Sequence, residues 1–359
     1  MNIIIFGGAF DPVHNGHINM AISAQKALNG DVFFVPARIS VWKNDSVPVE
    51  DKINMLRFAI KGKENLFIDE FEINSGKEIN YSIDTVLYFK EKFPNDNLFL
   101  LIGTDQVNKF HLWKDAEKIA EVAKIIFFDR PDIEIQTENI EKYKILKIEG
   151  PGIVVSSSDI RKTVNFDIDP DVLLYIIEHK LYFVSGLTRY IDEHRLNHSI
   201  SVAKLAYQIA LANNLENPIK ALIAGLLHDI GKTKDIPYLQ KVVEEEYFDY
   251  KELPLPILHQ FLSEKIAMED FLITDKEILN AIKFHATGID EMDTLAKIIY
   301  AADKIEPTRK FDSTELIEAM MVDVESGFKT VLQANKEYLE KSGKHFDNAL
   351  TSNCFKKYL

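Results

Sequence analysis

Cysteine is nearly missing: Cys354 is the single one in 359 residues. That excludes an internal disulfide framework and a zinc site built on thiolates. Long apolar runs are missing too. No stretch reaches the roughly 18 to 20 apolar residues that a bilayer-crossing helix needs. The first apolar run stops at Gly7 with no basic segment before it, so no signal peptide is expected. A basic excess is lacking as well: 42 Lys and Arg stand against 56 Asp and Glu, a formal net charge of −14. So acidic a chain has no general grip on a nucleic-acid backbone, and any phosphate site must be a local cationic pocket. The expectation is a cytoplasmic protein without a membrane or a nucleic-acid polymer as partner. With 46% apolar and 27% charged residues, the chain is ordinary globular material, long enough for two separate cores.

The most informative stretch is Gly7-Gly8-Ala9-Phe10-Asp11-Pro12-Val13-His14-Asn15-Gly16-His17. The apolar run 3–6 before it reads as a buried parallel strand. After it, Ile18, Met20, Ala21, Ala24, Ala27 and Leu28 share one helical face. A strand, a glycine turn and a helix start together make an anion site, because unpaired amides and the positive helix end point at the ligand. Gly7 and Gly8 let a ligand approach the backbone, and Gly16 keeps the first helical turn open. His14 and His17 are three apart, which puts their rings on one side of that turn.

Up to about residue 185, strand-like and helix-like segments alternate. Strands are expected at 32–35, 67–73, 98–102 and 124–128, and helices at 51–61, 82–93 and 170–182. This pattern predicts a parallel sheet covered on both faces, with ligands beyond the carboxyl ends of its strands. Polar candidates fall there: Lys43 after the second strand, Gly103 and Asp105 with Trp113 after the fourth, Arg130-Pro131 after the fifth, and Ser156 to Arg161 after Val155. The last group offers hydroxyls and a forked cation for a second phosphate contact.

The eleven-residue stretch resembles the nucleotidyltransferase superfamily signature G-G-x-F-D-P-x-H-x-G-H. With Tyr81-Ser82-Ile83-Asp84-Thr85, Gly103-x-Asp105, Trp113 and the serine-rich segment ending at Arg161, the first half is similar to nicotinate-mononucleotide adenylyltransferases. The resemblance implies a Rossmann-like domain over 1–185 that transfers AMP from ATP, with Mg²⁺, to the mononucleotide. It implies that His14, His17, Lys43, Ser157 and Arg161 hold phosphates. Gly7, Gly8, Phe10, Asp11, Gly16, Gly103, Asp105, Arg130 and Ser158 would line the nucleotide, with Thr85 and Trp113 contacting the mononucleotide and Trp113 stacked on its pyridine. Trp42 before Lys43, and Phe110-His111-Leu112-Trp113, depart from the usual pattern on the mononucleotide side, so acid or amide preference stays open.

Beyond Ser185-Gly186, read as a linker, helical periodicity takes over, with helices expected at 196–212, 219–227, 257–271, 278–284, 295–302 and 316–339. Residues 241–250 read as a solvated charged face. An all-α domain over 186–359 follows, without a repeat of fixed period. Six of the ten histidines lie here, including His194, His198, His228, His259 and His285. His228-Asp229 and Asp303 each end an apolar helix, where a carboxylate is expensive unless compensated. Imidazoles and carboxylates without thiols suit Fe, Mn, Mg or Co.

This half resembles the HD-domain phosphohydrolases, the H…HD…D set being His198, His228-Asp229 and Asp303. It is closest to the branch that splits diadenosine tetraphosphate into two ADP, on the strength of Leu226-Leu227-His228-Asp229-Ile230-Gly231-Lys232, His285-Ala286-x-Gly288 and Ala302-Asp303-Lys304-Ile305-Glu306-Pro307-x-Arg309. The resemblance implies His198, His228, Asp229 and Asp303 as ligands of iron or another divalent metal, with Asp229 also catalytic. His259 and His285 would complete a second metal site or contact substrate phosphate, and Arg195, Lys232 and Arg309 would bind phosphate. The alternatives are an HD hydrolase of alarmones or deoxynucleoside triphosphates and a non-catalytic nucleotide sensor. Homodimerisation is left open.

Overall fold

A computed structural model of the chain describes residues 1–38, 47–77, 79–129, 133–150, 155–162, 166–233, 235–342 and 348–359. It divides into two compact units, Met1–Tyr175 and Ile176–Leu359. Ser185 and Gly186 lie in a short helix, Phe183–Gly186, and not in an extended linker.

The first unit is built on β1 (Asn2–Gly8), β2 (Asp31–Pro36), β3 (Leu66–Ile68), β4 (Asn97–Gly103), β5 (Lys124–Phe128) and β6 (Leu146–Ile148). All neighbours pair in parallel, in the order β3-β2-β1-β4-β5-β6. The central strands are apolar runs because both faces are covered. Ile3 and Ile5 join Leu100, Ile102 and Phe127 in a core completed by Val86, Phe89 and Ile119 of flanking helices. Phe6 and Phe34 meet the ring of Phe10, on the loop before the helix Asn15–Leu28. Each buried Ile, Leu or Phe contributes roughly 1.5–3 kcal/mol. The chain order reverses between β1 and β4, which opens a crevice at their carboxyl ends.

Sequence and structure part company at 67–73. Only Leu66–Ile68 pairs with β2, and Phe71–Asn74 is helical. Asp69 Oδ1 accepts the Phe71 amide at 2.9 Å, turning the chain out of the sheet where alternation predicts more strand. The three-residue β6 has too little sequence to announce itself. A strand ending at Val155 would lie in 151–154, outside the described residues.

The second unit is helical, and its acidic residues cap it: Asp192, Asp235, Asp275, Asp293 and Asp323 each accept a first-turn amide. Two expectations are corrected here. Residues 236–246 form a helix whose Leu239, Val242 and Val243 pack on Phe261, so this stretch is half core. The single stretch 316–339 is two helices, Thr314–Val322 and Val324–Lys341, split at the capping Asp323. Ala349–Tyr358 is a further helix. No helix among the described residues is long and apolar enough to cross a membrane.

Candidate active sites

In the first unit β1 delivers Gly7 and Gly8 to the crevice, and a side chain at Gly7 would project into open space. Phe10 takes a left-handed φ of 46° and is 2% exposed; its ring packs edge-on against Phe34 and His17, so it props the histidine. His14 caps the helix Asn15–Leu28, and its ring stacks on His17 with centroids 3.7 Å apart. The His14 amide donates to Nδ1 of His17 at 3.3 Å. In the neutral ring that leaves the His17 proton on Nε2, as a donor.

The segment following Val155 comes to the same loop. Ser157 Oγ donates to the Pro12 carbonyl at 2.9 Å, and Arg161 donates to the Asp11 carbonyl and, at 3.0 Å, to Ser158 Oγ. Thus Asp11, His14, His17, Ser157, Ser158 and Arg161 are brought together across almost 150 residues of chain. Lys43 and Arg130 lie outside the described residues.

A second group forms around Thr85 and Trp113. Gly103 ends β4, and exposed Asp105 opens the next helix, Thr104–Lys109. Trp113 packs on Phe110 with centroids 5.2 Å apart, while its neighbour Lys114 lies 4.3 Å over the Tyr81 ring. That ties the Trp113 segment to the start of the Thr85 helix, Ser82–Lys92. Buried Thr85 donates to Glu72 Oε1 at 2.7 Å. Burial pushes the Glu72 carboxyl up to about 6, against the Thr85 hydrogen bond. In the sequence Glu72 reads as one surface charge among many.

The second unit gathers six residues from five chain segments: His198, His228, Asp229, His259, His285 and Asp303, all buried. They form three overlapping triads of ligand atoms, each within 4.8 Å, with Asp229 in two of them. The backbone sets the imidazoles. Nδ1 of His228, His259 and His285 each face a carbonyl three residues earlier, at 2.7, 2.9 and 2.7 Å. A carbonyl only accepts, so each Nδ1 carries a proton, and in the neutral ring that leaves each Nε2 with a lone pair turned inward.

Nε2 of His259 and His285 are 3.1 Å apart, and Asp229 Oδ1 lies 3.1 and 3.3 Å from them. Asp303 Oδ1 is 3.2 Å from His198 Nε2 and 3.6 Å from His228 Nε2. Gly231 tightens the turn after Asp229; a Cβ there would sit 2.4 Å from the Ser263 nitrogen. His194, one turn before His198, is exposed and outside the cluster.

Electrostatics fit this geometry. Burial would raise both carboxyls, yet both are held well below the usual range, Asp303 chiefly by the Lys304 ammonium. Burial pushes His285 down to about 3 and lowers His259, so these rings are neutral. Arg195 and Lys232 reach Asp229 Oδ2 at 2.7 and 3.1 Å; Lys304 and Arg309 reach Asp303, both at 2.7 Å. Glu306 accepts from His198 Nδ1 at 3.0 Å and is itself held by Thr308. In the sequence Glu306 is one residue of the segment before Arg309, and a carboxylate just outside a ligand pattern carries no signal of its own.

A divalent transition metal suits this cluster. Its donors are imidazoles and ionised carboxylates without thiolate. His228 Nε2 and Asp229 Oδ1 are buried and have no hydrogen-bond partner among the described residues. Facing lone pairs and a carboxylate oxygen repel unless a cation lies among them.

A parallel-sheet nucleotide fold followed by a helical His/Asp cluster defines the class. Residues 5–163 match the cytidylyltransferase-like family, and residues 195–308 match the HD domain. A Mycoplasma genitalium protein described as a probable nicotinate-nucleotide adenylyltransferase/Ap4A hydrolase is 31% identical over 86% of this chain and 88% of its own length. A Mycoplasma pneumoniae protein of the same description is 28% identical over 92% of this chain and 98% of its own. The chain belongs to the same two-domain family as these mycoplasma proteins. Among solved structures, the nicotinic acid mononucleotide adenylyltransferase of Plasmodium falciparum, complexed with NaAD, is 24% identical. It aligns with 51% of this chain and 98% of its own, at a TM-score of 0.44.

Proposed function

We propose that the chain is a bifunctional enzyme. The first unit transfers AMP from ATP to nicotinate mononucleotide, and the second hydrolyses diadenosine tetraphosphate to two ADP. The observation that carries this reading is the pairing, in one chain, of a stacked His14–His17 pair at the β1 turn with a six-residue imidazole–carboxylate cluster.

In the first reaction a phosphate oxygen of the mononucleotide attacks the α-phosphorus of ATP, the bond to the β-phosphate bridging oxygen breaks, and pyrophosphate leaves. The nucleophile is already an anion, so the protein's task is positioning and charge neutralisation. His17 Nε2–H, His14, Lys43 and Arg161 would meet the triphosphate, while Thr85 and Trp113 would contact the mononucleotide, Trp113 stacking on its pyridine, and Asp105 the nucleotide. Magnesium arriving with ATP would neutralise charge on the departing pyrophosphate.

In the second reaction water attacks phosphorus at the centre of the tetraphosphate, the central bridging bond breaks, and each half leaves as ADP. His198, His228, Asp229 and Asp303 would hold a divalent metal such as iron, with His259 and His285 able to complete a second site through Asp229. The metal would supply Lewis-acid activation of water and of the phosphoryl oxygens. Arg195, Lys232 and Arg309 would bind the phosphates by charge-assisted bonds.

The test incubates purified protein with ATP, Mg²⁺ and nicotinate or nicotinamide mononucleotide. In a separate reaction it receives diadenosine tetraphosphate with Fe²⁺, Mn²⁺ or Co²⁺. Chromatography should resolve a dinucleotide in the first and ADP alone in the second. Release of ATP plus AMP would refute symmetric cleavage.

A further inference from the structure

Beside the metal cluster, the second unit holds a cavity of about 750 Å³ whose walls include Lys304, Arg309, Phe311, Leu316, Asn335 and Tyr338. That volume is in the range of sites that enclose a nucleotide-sized ligand. Two wall residues also touch the cluster: Lys304 Nζ is 2.7 Å from Asp303 Oδ2, and Arg309 Nη2 is 2.7 Å from Asp303 Oδ1. The cavity therefore adjoins the candidate metal ligands through its cationic wall.

Beyond them Lys310 and Asp312 flank Phe311, and the wall continues through the apolar Leu316 and Val331 to Asn335 and Tyr338. Phe311 is 49% exposed. An exposed Phe gains little from burial, but its face can stack a base. Asn335 donates through Nδ2 to the buried Tyr300 hydroxyl at 2.9 Å, which fixes the amide with Oδ1 as an acceptor. Cations beside the carboxylates and an aromatic platform beyond them are complementary to a nucleotide, charged at one end and flat at the other.

We infer that this cavity is a nucleoside subsite: it receives one adenosine of the dinucleotide, the base stacked on Phe311 and the phosphates led by Arg309 and Lys304 toward the cluster. The inference rests on the hydrolase reading of the second unit and adds to it where the base is held.

The test uses the full chain with Phe311→Ala and the ring-preserving Phe311→Trp. Stacking energies predict that Phe311→Ala raises KM for diadenosine tetraphosphate about tenfold and lowers kcat less, with Phe311→Trp close to the unaltered chain. Photolabelling with 8-azido-ADP and peptide mapping should mark residues 304–341, and unlabelled ADP should compete. The rate of adenylyl transfer reports that both variants fold. Hydrolysis with unaltered KM in Phe311→Ala, or label confined to other peptides, overturns the subsite while leaving the hydrolase reading intact. Label in 304–341 without any hydrolysis of the tetraphosphate supports the subsite and overturns that reading.

Discussion

Nδ1 of His198 lies 3.0 Å from Oε1 of Glu306, and both side chains are buried. The pair aims His198 Nε2 at Asp303, and two hydrogen bonds from Thr308 fix Glu306 in turn. Glu306 is thus a positioning residue for a candidate ligand. Glu306→Ala should weaken metal binding about 10- to 100-fold, the usual effect of losing such a partner. Glu306→Gln, which keeps an acceptor oxygen, should lose less. Titration of the metal-stripped chain with Mn²⁺ or Co²⁺ checks this, and equal affinity in both variants would remove the role.

Replacing His14 or His17 by Ala should lower kcat for adenylyl transfer about 100-fold or more, the scale of losing one preorganised donor to a developing charge. Mononucleotide KM should change far less. Steady-state kinetics of dinucleotide formation separates the two effects, and hydrolysis in the second unit should be untouched. Full activity in either variant would take that histidine out of the phosphate site.

Glu72 gives a pH-dependent prediction. Burial raises its carboxyl from 4.5 to about 6 in the folded chain. A raised carboxyl binds its proton more tightly folded than unfolded, so its contribution to stability falls as pH rises from about 4.5 to about 6. Above that window the buried anion costs about 2 kcal/mol. Glu72→Gln keeps an acceptor for Thr85 and removes the charge. It should be about 1–2 kcal/mol more stable than the unaltered first unit at pH 8, the gap closing below pH 4.5. Denaturant unfolding at both pH values measures this; a gap independent of pH would contradict it.

A Cβ at Gly231 would lie 2.4 Å from the Ser263 nitrogen and 2.6 Å from the His259 carbonyl oxygen. Neither backbone atom can swing away as a side chain would. Gly231→Ala should therefore destabilise the second unit by about 2 kcal/mol or more. Thermal unfolding should show a lowered transition for that unit, with adenylyl transfer retained.

Much of this was legible in the residues. The apolar runs at 3–6, 98–102 and 124–128 gave their strands because burial on both faces leaves a continuous hydrophobic signal. The alternation at 67–73 misled because a period of two says nothing of the Asp69 side chain that turns the chain. Residues 241–250 misled because Glu244, Glu245 and Glu246 outnumber Val242 and Val243, the two buried residues beside them. His228-Asp229 stood out, being charged and polar after seven apolar or small residues. The meeting of His259 Nε2 and His285 Nε2 at 3.1 Å was not readable, because it depends on helix packing across 26 residues.

One measurement bears most directly on the claim that two independent centres share this chain. Metal content, tetraphosphate hydrolysis and adenylyl transfer are measured together on the unaltered chain and on Asp229→Asn. Asp229 belongs to two of the three ligand triads. The variant should lose bound transition metal and hydrolysis together while keeping adenylyl transfer. A variant that still hydrolyses diadenosine tetraphosphate, or that loses both activities while remaining folded, would contradict the account.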